Sequence, residues 1–301
     1  MPYPALHIVP KRLQIVQMTP PSPTATDQLA TDQLAVMFSR VRLTARVFHT
    51  GLLCQQVDFP AGGTGHLHLF RSGHLEVHGP GPTHRRLDQP TALFLPRAED
   101  HRFVVGPEGA DLVCAEIDLG GAGNPLESAL PALIALPLDP ADTLTGSLAL
   151  LFGEAMGQGS GRQVVLDRLA EVVLIHLLRR LIDSGQSDAG LLAGMAHPAL
   201  SRVLTALHAN PAGSWTLERM ADEAGMSRSA FAECFRSVVG VTPGDYLREW
   251  RLQLARTGIA AGQPLKRVAA EVGYASPAAL SRALGDSPSG SLRVLRGSTP
   301  D

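Results

Sequence analysis

The chain has 301 residues, 45% of them apolar, and a formal net charge of -2, enough for two buried cores and too acidic for a polycation that coats nucleic acid indiscriminately. No apolar run approaches the roughly 18 residues that span a bilayer. The opening segment lacks an apolar block followed by a cleavage signal, and three cysteines are too few for a disulfide scaffold, so the expectation is a cytoplasmic protein without a membrane partner.

Residues 1–26 carry Pro2, Pro4, Pro10, Pro20, Pro21 and Pro23 and read as a disordered lead-in. A short direct repeat, Thr26-Asp-Gln-Leu-Ala then Thr31-Asp-Gln-Leu-Ala, begins a helix that enters the first domain, expected at 27–140. From Val41 to Leu119 short alternating segments are punctuated by Gly, Pro and Asp, the pattern of an antiparallel sandwich or barrel. Strands are expected at 51–57, 66–70, 74–78, 91–95 and 111–118. A helical connector and linker follow at 141–190. Its helices are expected at 143–156 and 164–182, around Gly157-Gln-Gly-Ser-Gly161, with Ser184–Gly194 as the link between domains. The second connector helix has Leu166, Leu169, Val173 and Leu177 at helical spacing, and Val172, Leu174 and Ile175 widen its apolar surface. Such a helix has to be covered, by its own first domain or by a second copy of the chain, and the pattern fits both.

From residue 191 on, 12 Lys plus Arg stand against 9 Asp plus Glu, an excess of +3 that leaves -5 for the first 190 residues. A modest basic excess suits a site-specific reader of nucleic acid, whose binding weakens as salt rises. Within 191–301 one pattern occurs twice: Leu217, Met220, Ala221, Ala224 and Gly225, then Leu265, Val268, Ala269, Val272 and Gly273. In each copy the apolar residues share a helical face, a small alanine admits a neighbouring helix, and the glycine supplies the positive φ of a tight turn. A cap-like serine and an anchored helix come next, Ser227 to Phe235 and Ser276 to Leu284. These are two helix-turn-helix units, 217–239 and 265–284. One copy alone would be read as an ordinary helical hairpin. Between them, Pro243 to Ala261 reads as a single helix with Tyr246, Leu247, Trp250, Leu254 and Ala255 buried. At about 1.5 Å per residue it spans about 26 Å, a spacer suited to setting two recognition helices in successive major grooves. The second unit is four residues shorter at its end, Leu284-Gly-Asp-Ser-Pro288 against Phe235-Arg-Ser-Val-Val-Gly-Val-Thr-Pro243. Arg293 and Arg296 follow in a tail that reads as a frayed terminus.

The run from Trp215-Thr-Leu-Glu-Arg-Met-Ala through Met226-Ser-Arg-Ser-Ala-Phe, Thr242-Pro-Gly-Asp-Tyr-Leu and Trp250-Arg-Leu-Gln-Leu-Ala to Val272-Gly-Tyr-Ala-Ser resembles the AraC/XylS-type transcriptional regulators over about residues 197–290. The resemblance implies promoter DNA and RNA polymerase as partners, and activation rather than repression. It places Ser229, Ala232 and Glu233 toward base edges, with Arg228 and Arg236 toward phosphate, and in the second unit Ser276, Ala278, Ser281 and Arg282. Glu233 has the reach to accept from cytosine N4, and Arg282 to hold guanine or a phosphate. For each, the alternative is a solvated helix face.

The order His68-Leu-Phe-Arg-Ser-Gly73, Leu93-Phe-Leu-Pro96, His101 resembles the cupin sensor domain of a subgroup of these regulators, although Gln89-Pro90-Thr91 replaces the usual Pro-Gly-Asp. The fold class is therefore α+β and multidomain: an antiparallel cupin-like barrel or sandwich, a helical connector, and an all-α tandem helix-turn-helix domain. Cupins commonly hold a metal ion through a His-x-His pair, a carboxylate and a later histidine. His66 and His68 project to one strand face and His101 stands where the later ligand would, while Glu76, beside His74 and His78, departs from the usual spacing. Otherwise these histidines cover a sheet face or line an effector pocket. Some members of the subgroup respond to reactive chlorine species through cysteines, which implies Cys54 and Cys114 as redox candidates. The plain alternative for them, and for Cys234 beside Phe235, is a small apolar filler. The sensed effector is a small molecule or an oxidant. A metal-dependent cupin enzyme with a helical appendage is the alternative function, weakened by the missing carboxylate.

Overall fold

The computed structural model describes residues 32–80, 83–120, 127, 130–139, 144–184 and 190–286. The lead-in over 1–26 and the tail from Ser289 fall outside them. In chain order the elements are α1 (Gln33–Arg40), β1 (Thr44–Leu53), β2 (Val57–Phe59), β3 (Gly65–His78), β4 (His84–Leu87), β5 (Thr91–Leu95), β6 (His101–Asp118), β7 (Ile134–Pro137), α2 (Leu144–Met156), α3 (Arg162–Ser184), α4 (Leu191–Ala196), α5 (Pro198–Ala209), α6 (Leu217–Ala224), α7 (Arg228–Val239), α8 (Pro243–Ala260), α9 (Leu265–Glu271) and α10 (Pro277–Asp286). None of these helices is long and apolar enough to cross a membrane.

The strands form one antiparallel sheet of order β1-β6-β3-β5-β7, with β2 added to β6 and β4 to β3. Two long strands organise it. The first half of β3 pairs with β5 and with the end of β6, and its second half pairs with β4 and with the start of β6. The ladder shifts between Phe70 and Ser72 and again between Gly73 and Leu75. Gly73 takes φ 104° at this bend, where a Cβ would lie 2.3 Å from the carbonyl oxygen of Gly109. Only glycine permits that approach, so the strand bends without ending. The expected strands at 66–70 and 74–78 are therefore one element. The segment 111–118 is likewise only the second half of β6, which passes through Gly106 because His74 packs where a Cβ would be. The expected strand at 51–57 is corrected to β1 and β2. Gly51 lies inside β1 at φ 102°, so the glycine taken as a boundary is an interior residue.

Period-two alternation divides the sheet between two cores. Leu67, Leu69, Ala92, Phe94, Val113, Ala115 and Ile117 face the helices. Phe70, Leu75, Val77, Leu93, Phe103, Leu112 and Cys114 enclose a second interior cluster. Helix α3 lies on the first face and buries Leu166, Ala170, Val173, Leu174, Leu177, Leu178 and Leu181. Its carboxylates also cover the edge of β1, Asp167 accepting from the Val47 N–H at 2.8 Å and Glu171 from Ala45 at 3.3 Å. An otherwise open strand edge is thereby satisfied. Val164, Val165 and Val172 on the same helix stay exposed.

The helix-facing core continues without a break from the sheet into the first helix-turn-helix unit, from Leu34 and Val47 through Leu174 and Leu204 to Phe235 and Trp250. Helix α1 packs on α5, with Gln33 Nε2 donating to Met195 O at 3.2 Å and Arg40 to Ala209 O at 2.6 Å. The expected linker at Ser184–Gly194 is corrected: Ser184 ends α3 and Leu191 opens α4, whose Leu191, Leu192 and Met195 are buried. The short polar stretch 185–189 lies outside the described residues. The spacer helix α8 divides its apolar side between two cores, Tyr246, Leu247 and Trp250 facing the large one and Leu252 and Ala255 a small one with Val268, Ala269, Val272 and Leu280. Leu254, expected in a single stripe, is half-buried, and Leu252 takes the buried place.

Candidate nucleic-acid interface and histidine pocket

Local sequence sets the first helix-turn-helix unit. Thr216 caps α6 by accepting from the Arg219 N–H at 3.1 Å, and Gly225 makes the turn at φ 68°. Ser227 then caps α7 by accepting from Ala230. Phe231, Phe235 and Val239 point into the core, which turns Arg228, Ser229, Glu233 and Arg236 to solvent along the opposite side, with Ala232 half-buried.

The second unit repeats the geometry with fewer supports. Pro264 stands at the cap of α9 without a side-chain hydrogen bond. Gly273 turns at φ 83°, and there a Cβ would meet Ala212 Cα at 2.7 Å. The Ser276 hydroxyl accepts from the Ala279 N–H at 3.1 Å, so it is committed to capping α10 and half-buried. Leu280 anchors the helix, and Ala278, Ser281 and Arg282 are exposed. Arg251 ties the spacer helix to the loop that precedes the first unit by donating to Pro211 O at 2.7 Å and Gly213 O at 3.0 Å. Arg219, stacked 4.3 Å over the Trp215 ring, and exposed Arg248 add cationic groups beside the first unit that sequence reading did not single out. Their proximity depends on how the loop 210–216 folds back on α8, which periodicity does not reveal.

In the sheet domain, β3 and β6 bring His66, His68 and His101 together inside the second core. One nitrogen from each lies within 4.8 Å of the others. His68 Nε2 and His101 Nε2 are 2.9 Å apart, and His101 Nδ1 is 3.0 Å from the Glu99 carbonyl. Only a protonated Nδ1 can bond that carbonyl, so in neutral His101 Nε2 accepts and His68 Nε2–H donates. His68 Nδ1 is then a bare lone pair. It and His66 Nδ1 are buried without a hydrogen-bond partner among the described residues. Burial is the main cause that lowers all three pKa values, His101 to about 4 and His68 well below its ordinary value, with neighbouring imidazoles adding to the shift of both. Phe59 stacks on His101 at 4.5 Å. His101, Phe59, Asp58, Asp100, Arg102 and His78 line an open pocket of about 460 Å³. Glu116 stands directly opposite His66 in the β3–β6 ladder and its charge acts on that ring. Sequence reading sought a carboxylate at Glu76 and missed Glu116, because antiparallel register over fifty residues is not a local signal. Glu76 instead pairs with His74 and His84 elsewhere on the sheet.

Cys114 lies directly opposite His68 and is fully buried, which pushes its thiol pKa well up. Cys54 is exposed and follows β1 rather than lying in a strand, a correction to its expected place. The ladder pairs Cys114 with His49 and Leu53 with Ala110. Five residues of strand at about 3.3 Å each separate Cys54 from that pairing, beyond the span of a disulfide. Cys234 is half-buried, 3.8 Å from His197 Nε2.

Two family models match the chain: "Cupin" over residues 32–183, just over half of it, and "Helix-turn-helix domain" over residues 220–288. A putative AraC-like transcription regulator of Streptomyces lividans is 36% identical over 156 residues, 50% of this chain and 51% of that protein. The RCS-specific HTH-type transcriptional activator RclR of Escherichia coli is 27% identical over 197 residues, 64% of this chain and 69% of that protein. The chain spans about half the length of the first of these. Among solved structures, ToxT from Vibrio cholerae aligns over 81% of this chain and 92% of its own at 10% identity, with a TM-score of 0.36.

Proposed function

The chain belongs to the AraC-type helix-turn-helix family, in the group with an N-terminal cupin domain, and from that premise we propose that it is a sequence-specific regulator of transcription that binds double-stranded promoter DNA in the cytoplasm. The observation that carries this reading is the pair of capped helices α7 and α10, whose outward faces are held at the two ends of one spacer helix. The first unit reads bases through Glu233, flanked by Ser229 and Ala232, with Arg228 and Arg236 on phosphate. The second uses Arg282, flanked by Ala278 and Ser281, with Ser276 holding the helix start. The relatives named above are regulators, which leaves the cupin-enzyme alternative without support.

The histidine pocket is the sensor. Its rings are kept neutral and two of their nitrogens are unengaged, the state in which imidazole binds a metal ion. His66, His68 and His101 fit such an ion, with Glu116 the carboxylate at hand, and a bound ion would supply a fixed charge to which an effector or oxidant could bind. Cys114, opposite His68, is the thiol nearest that centre, and its burial makes it slow to react until the pocket opens. The signal is a population shift: occupancy favours one arrangement of a core that runs unbroken to α7, and DNA affinity or contact with RNA polymerase changes with it. The exposed valines of α3 mark the face on which a second copy pairs.

The test is genome-wide recovery of DNA bound by the purified protein, then salt titrations on the best site. Two adjacent protected major grooves are expected, with Glu233→Ala and Arg282→Ala each weakening binding by about 1–3 kcal/mol and relaxing different base positions. No site preference at any salt concentration would overturn the regulator reading.

A further inference from the structure

The β3–β4 hairpin carries a second group of metal-ligating side chains that the sensor reading does not use. His78 and His84 are directly opposed in the ladder, with ring centroids 4.7 Å apart. Glu76, two residues back along β3, presents its carboxylate on the same face, Oε2 lying 3.6 Å from His84 Nε2. One ligand atom from each of the three lies within 4.8 Å of the others. With metal–ligand bonds of about 2.0–2.2 Å, donors around one tetrahedral ion stand roughly 3.3–3.5 Å apart. Small rotations of two exposed rings close that gap. The hairpin holds the ligands in register, Gly79 N–H donating to Thr83 O at 2.8 Å. His74 supplies an outer support, its Nε2 3.8 Å from Glu76 Oε1 and its Nδ1 3.2 Å from Asp88 Oδ1.

We infer that Glu76, His78 and His84 form a surface site for a borderline first-row divalent cation, Zn²⁺ or Cu²⁺, separate from the buried His66, His68 and His101. Two imidazoles with one carboxylate suit these ions, whereas Mg²⁺ and Ca²⁺ take oxygen ligands. Three protein ligands on an exposed hairpin leave a fourth position for water or an outside donor. The His78 ring also lines the pocket that contains His101, so an ion here and an occupant of the pocket contend for the same side chain.

The experiment uses untagged full-length protein titrated with Zn²⁺ against a chromophoric chelator, and Cu²⁺ loading followed by electron paramagnetic resonance. Wild type is expected to take up one more equivalent of Zn²⁺ than a His78→Gln/His84→Gln variant, while His68→Gln/His101→Gln retains that equivalent. In the His68→Gln/His101→Gln background, coupling of Cu²⁺ to two imidazole nitrogens should persist and should vanish once His78→Gln and His84→Gln are added, and His74→Gln should weaken the site about tenfold. Circular dichroism confirms that the variants fold. Equal Zn²⁺ uptake in wild type and hairpin variant, and equal spectra with and without the hairpin substitutions, would overturn the inference. No DNA enters these measurements, so the outcome is independent of the regulator reading.

Discussion

The two helix-turn-helix units have nearly the same sequence logic and very different support. The first is built into the large core that runs back to the sheet through α5 and α3, and a side-chain oxygen caps both of its helices. The second rests on a core of its own around Leu252, Val268 and Leu280, and its leading helix has no side-chain cap. Equal motifs therefore need not have equal stability. The first moves with the sheet domain, and the second opens at lower cost.

Truncating the two anchors sharpens this contrast most. Phe235→Ala should cost about 3–5 kcal/mol of global stability in urea melts, whereas Leu280→Ala, with a local penalty of about 2–5 kcal/mol, should show mainly as faster amide exchange over 265–286. Equal global losses would mean that the two units unfold as one.

Acid is the next largest lever. His208 on α5, buried against Tyr246 and Trp250 of α8 in the large core that holds the first unit, has its pKa lowered by burial to about 3. Below the ordinary value near 6.5 the unfolded chain takes a proton that the fold refuses. His208's contribution is thus complete above pH 6.5 and falls by about 1.4 kcal/mol per unit as pH drops toward 3. The segment 265–286 contains no histidine. His66, His68 and His101 add acid sensitivity of the same sign in the sheet domain, so the isolating measurement is the difference between wild type and His208→Gln, which should shrink from pH 7 to pH 4.

The turns come third. Gly273→Ala places a Cβ against the Ala212 backbone as well as forcing positive φ, while at Gly225 the nearest heavy atom is the end of the Arg202 side chain at 3.6 Å. About 1–2 kcal/mol is expected for Gly225→Ala and more for Gly273→Ala by thermal denaturation. The smallest effect belongs to the caps: Ser227→Ala and Ser276→Ala should each cost about 1 kcal/mol, read as fraying at the starts of α7 and α10 by amide exchange.

Both helix-turn-helix units were legible almost residue by residue, because capping, turning and facing are decided within about twenty residues. The spacer helix was legible to within one residue of its end. The sheet was legible only in fragments: alternation marks residues 66–70 and 91–95, but Gly73 at a bend resembles Gly at a turn until the approach of Gly109 is known. Helix α4 was missed because Gly190 and Gly194 read as linker chemistry although Leu192 is fully buried, and α5 was not singled out although Leu204 is fully buried too. Convergence of His66 and His68 follows from strand geometry, and His101 from its resemblance to a cupin. Glu116 opposite His66 and Cys114 opposite His68 depend on long-range register and left no local trace.

The buried amide of Gln253 reaches out of the spacer helix to the Gly120 carbonyl at the end of β6, at 3.0 Å. Together with α1 lying on α5, this contact bears on modularity. Excision at residue 190 would remove helix α1 from α5 and the carbonyl to which the Gln253 amide donates, so the C-terminal half grafted onto a foreign sensor is expected to lose stability. A working chimera has to carry its own replacement for helix α1 and a carbonyl where Gly120 stands.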